Sequence, residues 1–219
     1  DPSTTVSEAG DAKNTTANIY SILLWNGVVT PRILVSPLES NPKIVVCHDY
    51  EWTKPMAAVN PDDANWDPAF NVDFTGGRIG HASYAQLQLS EARRARWKDT
   101  FTTTEPVLGN RAPEVVAVER SAAGEYIVRT RIPDSFTLLM RRPRTTWQGN
   151  VGFNDGHVEL VDSLAPRSGL WRSYKSRDGA GRPDCLYFDE PDDPDALNAY
   201  FGLWVKAGTK PADFRGVWD

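Results

Sequence analysis

Few residues in this chain have types and spacing that could do chemistry. There are three histidines, His48, His81 and His157, and two cysteines, Cys47 and Cys185. His157 follows Asp155 and Gly156 in the stretch GNVGFNDGHVELVD, which sets an acid and an imidazole either side of a glycine. Cys47 stands directly beside His48, a thiol next to a base, but neighbouring residues on an extended strand point to opposite faces. No GxSxG, HExxH or HxH spacing is present to organise a nucleophile or a transition metal. The cysteines form no CxxC pair, so thiolate zinc is disfavoured, and either one long-range disulfide or two separate thiols fits their spacing.

Two stretches are dense in hard oxygen ligands. One runs through Asp189, Glu190, Asp192, Asp193 and Asp195, and the other through Asp62, Asp63, Asn65 and Asp67. Calcium takes six to eight oxygens from such loops. Calcium held by Asp189, Asp192, Asp193 and Asp195 is therefore one reading of the later stretch, and solvated turns are the other. Neither has the spacing of an EF-hand loop. Eight tryptophans open a third kind of chemistry, the stacking of sugars on exposed rings. Trp25, Trp147 and Trp204 sit at apolar positions expected in a core, and Trp52, Trp66, Trp97, Trp171 and Trp218 stay open.

The elements that must hold these residues follow from pattern. Asn14 to Asn26, NTTANIYSILLWN, reads as an amphipathic helix with Ile19, Ile22, Leu23 and Asn26 at helical spacing, capped by Asn14 or Thr15 and ended by Gly27. Tyr50 to Gly80 reads as a long ordered loop, because Trp52, Trp66 and Phe70 would otherwise stand in water. HASYAQLQL alternates as a strand, and SEARRARWKD fits a short helix capped by Ser90. PVLGN, EVVAVE, EYIVRTRI, FTLLM, NVGFN and HVELV follow as short strands between turns, which points to an antiparallel sheet.

Asp155-Gly156 itself reads as a hairpin turn. A two-residue type I′ loop would pair Asn154 with His157, Phe153 with Val158 and Val151 with Leu160. That register gathers Val151, Phe153, Val158 and Leu160 on one face. One helix with such a sheet is an α+β fold.

With 219 residues and 40% hydrophobic composition the chain can bury a core. A formal charge of −5 gives no global attraction to nucleic acid or to an anionic membrane. The clusters Arg93-Arg94-Ala95-Arg96 and Arg141-Arg142-Pro143-Arg144 have acids nearby and read as solvated or locally ion-paired. No apolar run approaches a membrane span, and residues 1–13 are polar and irregular, as a flexible lead-in would be.

The order NTTANIYSILLWNGVVTPRILVSP, GHASYAQLQL, PVLGNRAP and GNVGFNDGHVEL resembles the soluble part of type II secretion pseudopilins. More specifically, it looks like the prepilin-type proteins with an H-x9-DG domain, over most of Asn14 to Val161. Thr145 stands where that family carries its histidine, and Ser36 where it often has a cysteine, so neither residue's role carries over. The resemblance implies a pilin-like α+β fold, with an N-terminal amphipathic helix packed on a mostly antiparallel sheet, long loops and a loop-rich C-terminal extension. It implies a flexible stub at 1–13, a pilin-like domain at 14–162 and the extension at 163–219 packed on the same domain.

It further implies a structural subunit and not an enzyme, outside the cytoplasm, assembling with copies of itself or with other pilin-like subunits. Membrane contact would come only through a hydrophobic N-terminal helix preceding the stub. Calcium in a C-terminal loop is common in major pseudopilins, which adds to the reading of Asp189 to Asp195. Two rival functions come from other classes. One is a secreted carbohydrate-binding module using exposed tryptophans. The other is a hydrolase drawing on Asp62, Asp63, His81, Asp155 and His157.

Overall fold

A computed structural model describes residues 2–141, 146–165, 174–175, 181–193 and 197–219. Strands dominate it, with few helices, and the class is α+β. In chain order the elements are α1 (Thr16–Trp25), β1 (Tyr84–Leu87), α2 (Glu91–Arg94), β2 (Pro106–Asn110), β3 (Val115–Arg120), β4 (Tyr126–Thr130), β5 (Gly149–Phe153), β6 (Val158–Val161), β7 (Tyr174–Lys175), β8 (Gly181–Arg182), β9 (Phe201–Lys206) and β10 (Arg215–Val217). No helix among the described residues is long and apolar enough to cross a membrane. The chain divides into two compact units, one of residues 1–84 with 203–217, the other of 85–202 with 218–219.

In the first unit, α1 starts where expected, because the Thr15 hydroxyl accepts the Asn18 N–H. It ends on Gly27 at φ +68°, with the Gly27 N–H on the Leu24 carbonyl and the Val28 N–H on that of Leu23. That pair of bonds satisfies the orphan carbonyls of the last turn, and the left-handed backbone suits glycine. The buried stripe differs from the expected one. Thr16, Tyr20, Ser21 and Leu24 are buried while Ile22 and Asn26 are exposed. Three of these four are polar, and each has a mooring: Thr16 Oγ1 accepts the Trp204 N–H of β9, Tyr20 OH donates to the Tyr84 carbonyl, and Ser21 Oγ donates to the Asp67 carbonyl. Satisfied hydroxyls therefore occupy the face that the apolar count assigned to isoleucine.

Residues 2–13, expected to be a flexible lead-in, form two short 3-10 turns and bury Thr5 and Val6. The Thr4 and Thr5 carbonyls accept from Asn60 and Val59. The long loop buries Trp66 and Phe70 as expected and leaves Trp52 exposed. β10 runs antiparallel to β9 with a bulge between Arg215 and Gly216. The stretch from 163 onward, expected to be loop-rich, thus supplies a six-residue strand to this fold.

In the second unit the sheet runs from the start of β9 through β1, β2 and β5 to β6 at the edge. Ala85 and Leu87 of β1, Trp147, Val151, Phe153, Val161, Tyr187 and Phe201 build its core. β3 and β4 form a separate hairpin carrying the cross-strand pair Glu119–Arg129. FTLLM is a 3-10 turn at Phe136–Leu139 rather than a strand, because Ser135 Oγ accepts the Thr137 N–H and closes the turn locally. Ser90 precedes α2 as expected, but its hydroxyl donates to Gln88 and makes no cap.

Candidate functional site

The DGH stretch joins β5 to β6. Its register differs from a two-residue loop: Gly152 faces Val158, Val151 faces Glu159, and the Phe153 N–H reaches the His157 carbonyl. Asn154, Asp155 and Gly156 therefore form a three-residue loop. The Gly156 N–H returns to the Phe153 carbonyl, and Gly156 stands at φ +89°. This is a type I turn followed by a left-handed residue, the next commonest hairpin after the two-residue forms. The slip of one position turns Val158 and Leu160 out to solvent, 62% and 57% exposed, while Val151 and Phe153 remain buried.

Around this loop the polar groups are closely knit. Asp155 Oδ1 lies 2.5 Å from His157 Nδ1 and also accepts the His157 N–H. Partial burial pushes the Asp155 carboxyl up, but the hydrogen bonds and charge of His157 outweigh it and hold the group below its usual range. The imidazole stacks on Phe153 with rings 4.3 Å apart and nearly parallel. Asn154 donates to the Lys98 carbonyl and accepts the Thr100 N–H, tying the loop to the segment after α2. A hollow of roughly 360 Å³ lies there, walled by Trp97, Val107, Phe153 and Asn154. Asp155 and His157 thus brace one another, and among the described residues no serine or threonine hydroxyl and no cysteine thiol is bonded to the imidazole.

The acidic stretch is organised by an arginine. Arg93 is fully buried, and its guanidinium donates to Gln88 Oε1, to Asp189 Oδ1, and to the side chain and carbonyl of Asn198. It also lies over the Tyr200 ring at 5.5 Å. Asp193 Oδ2 accepts the Asn198 N–H, and Asp195 lies outside the described residues. Of the expected calcium ligands, Asp189 already gives one carboxylate oxygen to a buried, permanently charged group. Among the described residues no group of three or more His, Cys, Asp or Glu side chains could hold a metal ion. The earlier stretch is likewise engaged: Asp62 pairs with Lys54, Asp63 accepts from Asn60, and Asp67 accepts the Glu51 and Ala69 N–H groups.

Sequence pattern gave no sign of Arg93 as a buried hub. The cluster Arg93-Arg94-Ala95-Arg96 reads as solvated or locally ion-paired; Arg94 is exposed, while Arg93 and Arg96 are buried and pair with Asp189 and Glu105. Nor did it mark Asp184, whose carboxyl burial drives well above the usual range against the opposing bond from the Ala199 N–H. Of the residues set aside for a hydrolase, Asp62, Asp63 and His81 fall in the first unit and Asp155 and His157 in the second. His81 Nδ1 contacts the Val45 carbonyl and its ring meets Phe70.

Neither cysteine is in a disulfide and both are buried, Cys47 in the first unit and Cys185 in the second. Burial pushes the Cys47 thiol up, away from a reactive thiolate. Trp66, Trp147 and Trp204 are buried, Trp25 and Trp218 are partly buried, Trp171 lies outside the described residues, and Trp52 and Trp97 are exposed. They lie one in each unit. Comparison with known proteins adds no relative: the chain matches no protein-family profile, no curated protein and no solved structure.

Proposed function

We propose that this chain is the extracytoplasmic domain of a pilin-like structural subunit, one that works by assembly with its own copies or related subunits and not by turnover. The observation that carries the reading is α1 and its moorings. A helix at the N-terminal side of an antiparallel sheet is held by Thr16 to the Trp204 N–H and by Tyr20 to the Tyr84 carbonyl. The same order of segments runs from that helix through its glycine stop to the DG hairpin.

Thr15 has extended backbone and caps α1. An apolar helix upstream would accordingly join α1 at an angle, through residues 2–13, and the two would not form one straight rod. Membrane attachment, in this reading, belongs to that upstream helix alone.

The test is expression of the complete reading frame together with a prepilin peptidase, followed by shearing of the cell surface and electron microscopy. The account expects filaments or short fibres that antibody against this domain decorates. Finding the protein only as a free, monomeric secreted species would oppose it.

A further inference from the structure

The first unit contains a concave site that the filament reading leaves unused. It is a hollow of roughly 520 Å³ walled by Arg32, Val46, His48, Tyr50 and Trp52. Trp52 is 48% exposed, and its ring system meets that of Tyr50 in a T-shaped pair with centroids 4.6 Å apart. Tyr50 is itself immobilised: its hydroxyl donates to the Ser21 carbonyl and lies 2.9 Å from Ser21 Oγ. Two residues beyond Trp52, Lys54 takes a left-handed backbone at φ +50°, which is costly for a side-chain-bearing residue. An exposed indole is thus held on a rigid support in a bent loop, where burial would be the ordinary expectation for so large an apolar ring.

The polar groups of the site are unspent. The Arg32 guanidinium, the His48 imidazole and the Trp52 indole N–H have no hydrogen-bond or ion partner among the described residues. Nearby acids face other work: Glu51 accepts the Met56 N–H, and Asp67 accepts two backbone N–H groups. A second hollow of roughly 510 Å³ adjoins the first, sharing Arg32 and Val46 and continuing past Ile33 and Pro37. The free groups are donors with one fixed positive charge, beside a flat apolar ring. They call for a ligand with an apolar face and a rim of acceptors that includes a single anion.

We infer that this site binds acidic saccharide, a chain of pyranose rings bearing carboxylates. The C–H face of one ring stacks on Trp52, the carboxylate takes the fork of Arg32 in a two-bond pair, and the next ring enters the adjoining hollow. A single guanidinium matches one carboxylate of the chain. The site stands independently of the filament reading, since each is tested by a measurement that the other does not touch.

Titration calorimetry at low salt decides it, with a galacturonic acid trimer, the neutral galactose trimer and an acetylated Glu-Phe-Glu peptide as probes. The acid trimer is expected to bind saturably and more tightly than the neutral one. Arg32→Gln should weaken the acid trimer about tenfold, the loss of one charge-assisted pair, and leave the neutral trimer unchanged. Trp52→Ala should weaken both sugars about tenfold or more. Both side chains are exposed, so thermal melting of each variant should match the parent. No saturable binding of the acid trimer, equal binding of acid and neutral trimers, indifference to Arg32→Gln, or capture of the peptide in place of the sugar would each overturn the inference.

Discussion

Arg93 sets the strongest constraint at the scale of single residues. It is buried without exposure, and its donors reach Gln88, Asp189 and Asn198. Replacing it by methionine keeps most of the volume but leaves those acceptors unpaired, which should cost about 3–5 kcal/mol. Chemical denaturation would show this as a lower midpoint. Asp184 makes a second prediction, through pH. Burial raises its folded-state pKa well above the ordinary carboxylate value, the Ala199 N–H and the charges of Arg96 and Arg93 oppose this, and Glu190 adds to it. The unfolded chain therefore releases its proton first. Stability from this group is full in acid, below about pH 4, and is lost as pH rises toward the folded-state value. Asp184→Asn should raise the melting temperature at neutral pH and leave it close to the parent near pH 4; an equal shift at both would refute the protonated state. Neither residue was legible beforehand. A buried arginine and an exposed one give the same local pattern, and only the long-range partners at 184, 189 and 198 separate them.

At the scale of elements, local chemistry was readable where it is truly local. The Thr15 cap and the Gly27 stop of α1 follow from side-chain type alone, and Thr15→Ala should cost about 1 kcal/mol in a denaturation experiment. The DG turn was readable as a turn but not in its register. A left-handed residue at Gly156 adds one position to the loop, and that one position moves Val158 and Leu160 from the inner face to the outer. Gly156→Ala should destabilise by about 1–2 kcal/mol, whereas Val158→Thr, on the exposed face, should change little. The buried stripe of α1 was hidden for a different reason. Thr16, Tyr20 and Ser21 lie inward because Trp204, Tyr84 and Asp67 offer partners, and a hydropathy pattern counts such residues as polar.

For the whole molecule, the chain ends matter most. Residues 203–217 belong with 1–84, so the last part of β9, with β10, completes a unit begun two hundred residues earlier. Sequence order reads 163–219 as a loop-rich extension packed on the same domain, and the residues it packs on were not readable, since a contact such as Thr16 to Trp204 leaves no mark in either segment taken alone. A chain ending at Gly202 should accordingly lose amide protection throughout α1 in hydrogen exchange while the core around Val151 and Phe153 keeps its own. The α+β class and the ordered long loop were visible from pattern, and the division into units was not. The claim that matters most is that this domain is the outer part of a pilin-like subunit, and the most direct test of it is the sequence of the reading frame upstream of Asp1. The account predicts a prepilin peptidase site followed by about twenty apolar residues; an ordinary signal peptide ending directly before Asp1 would contradict it.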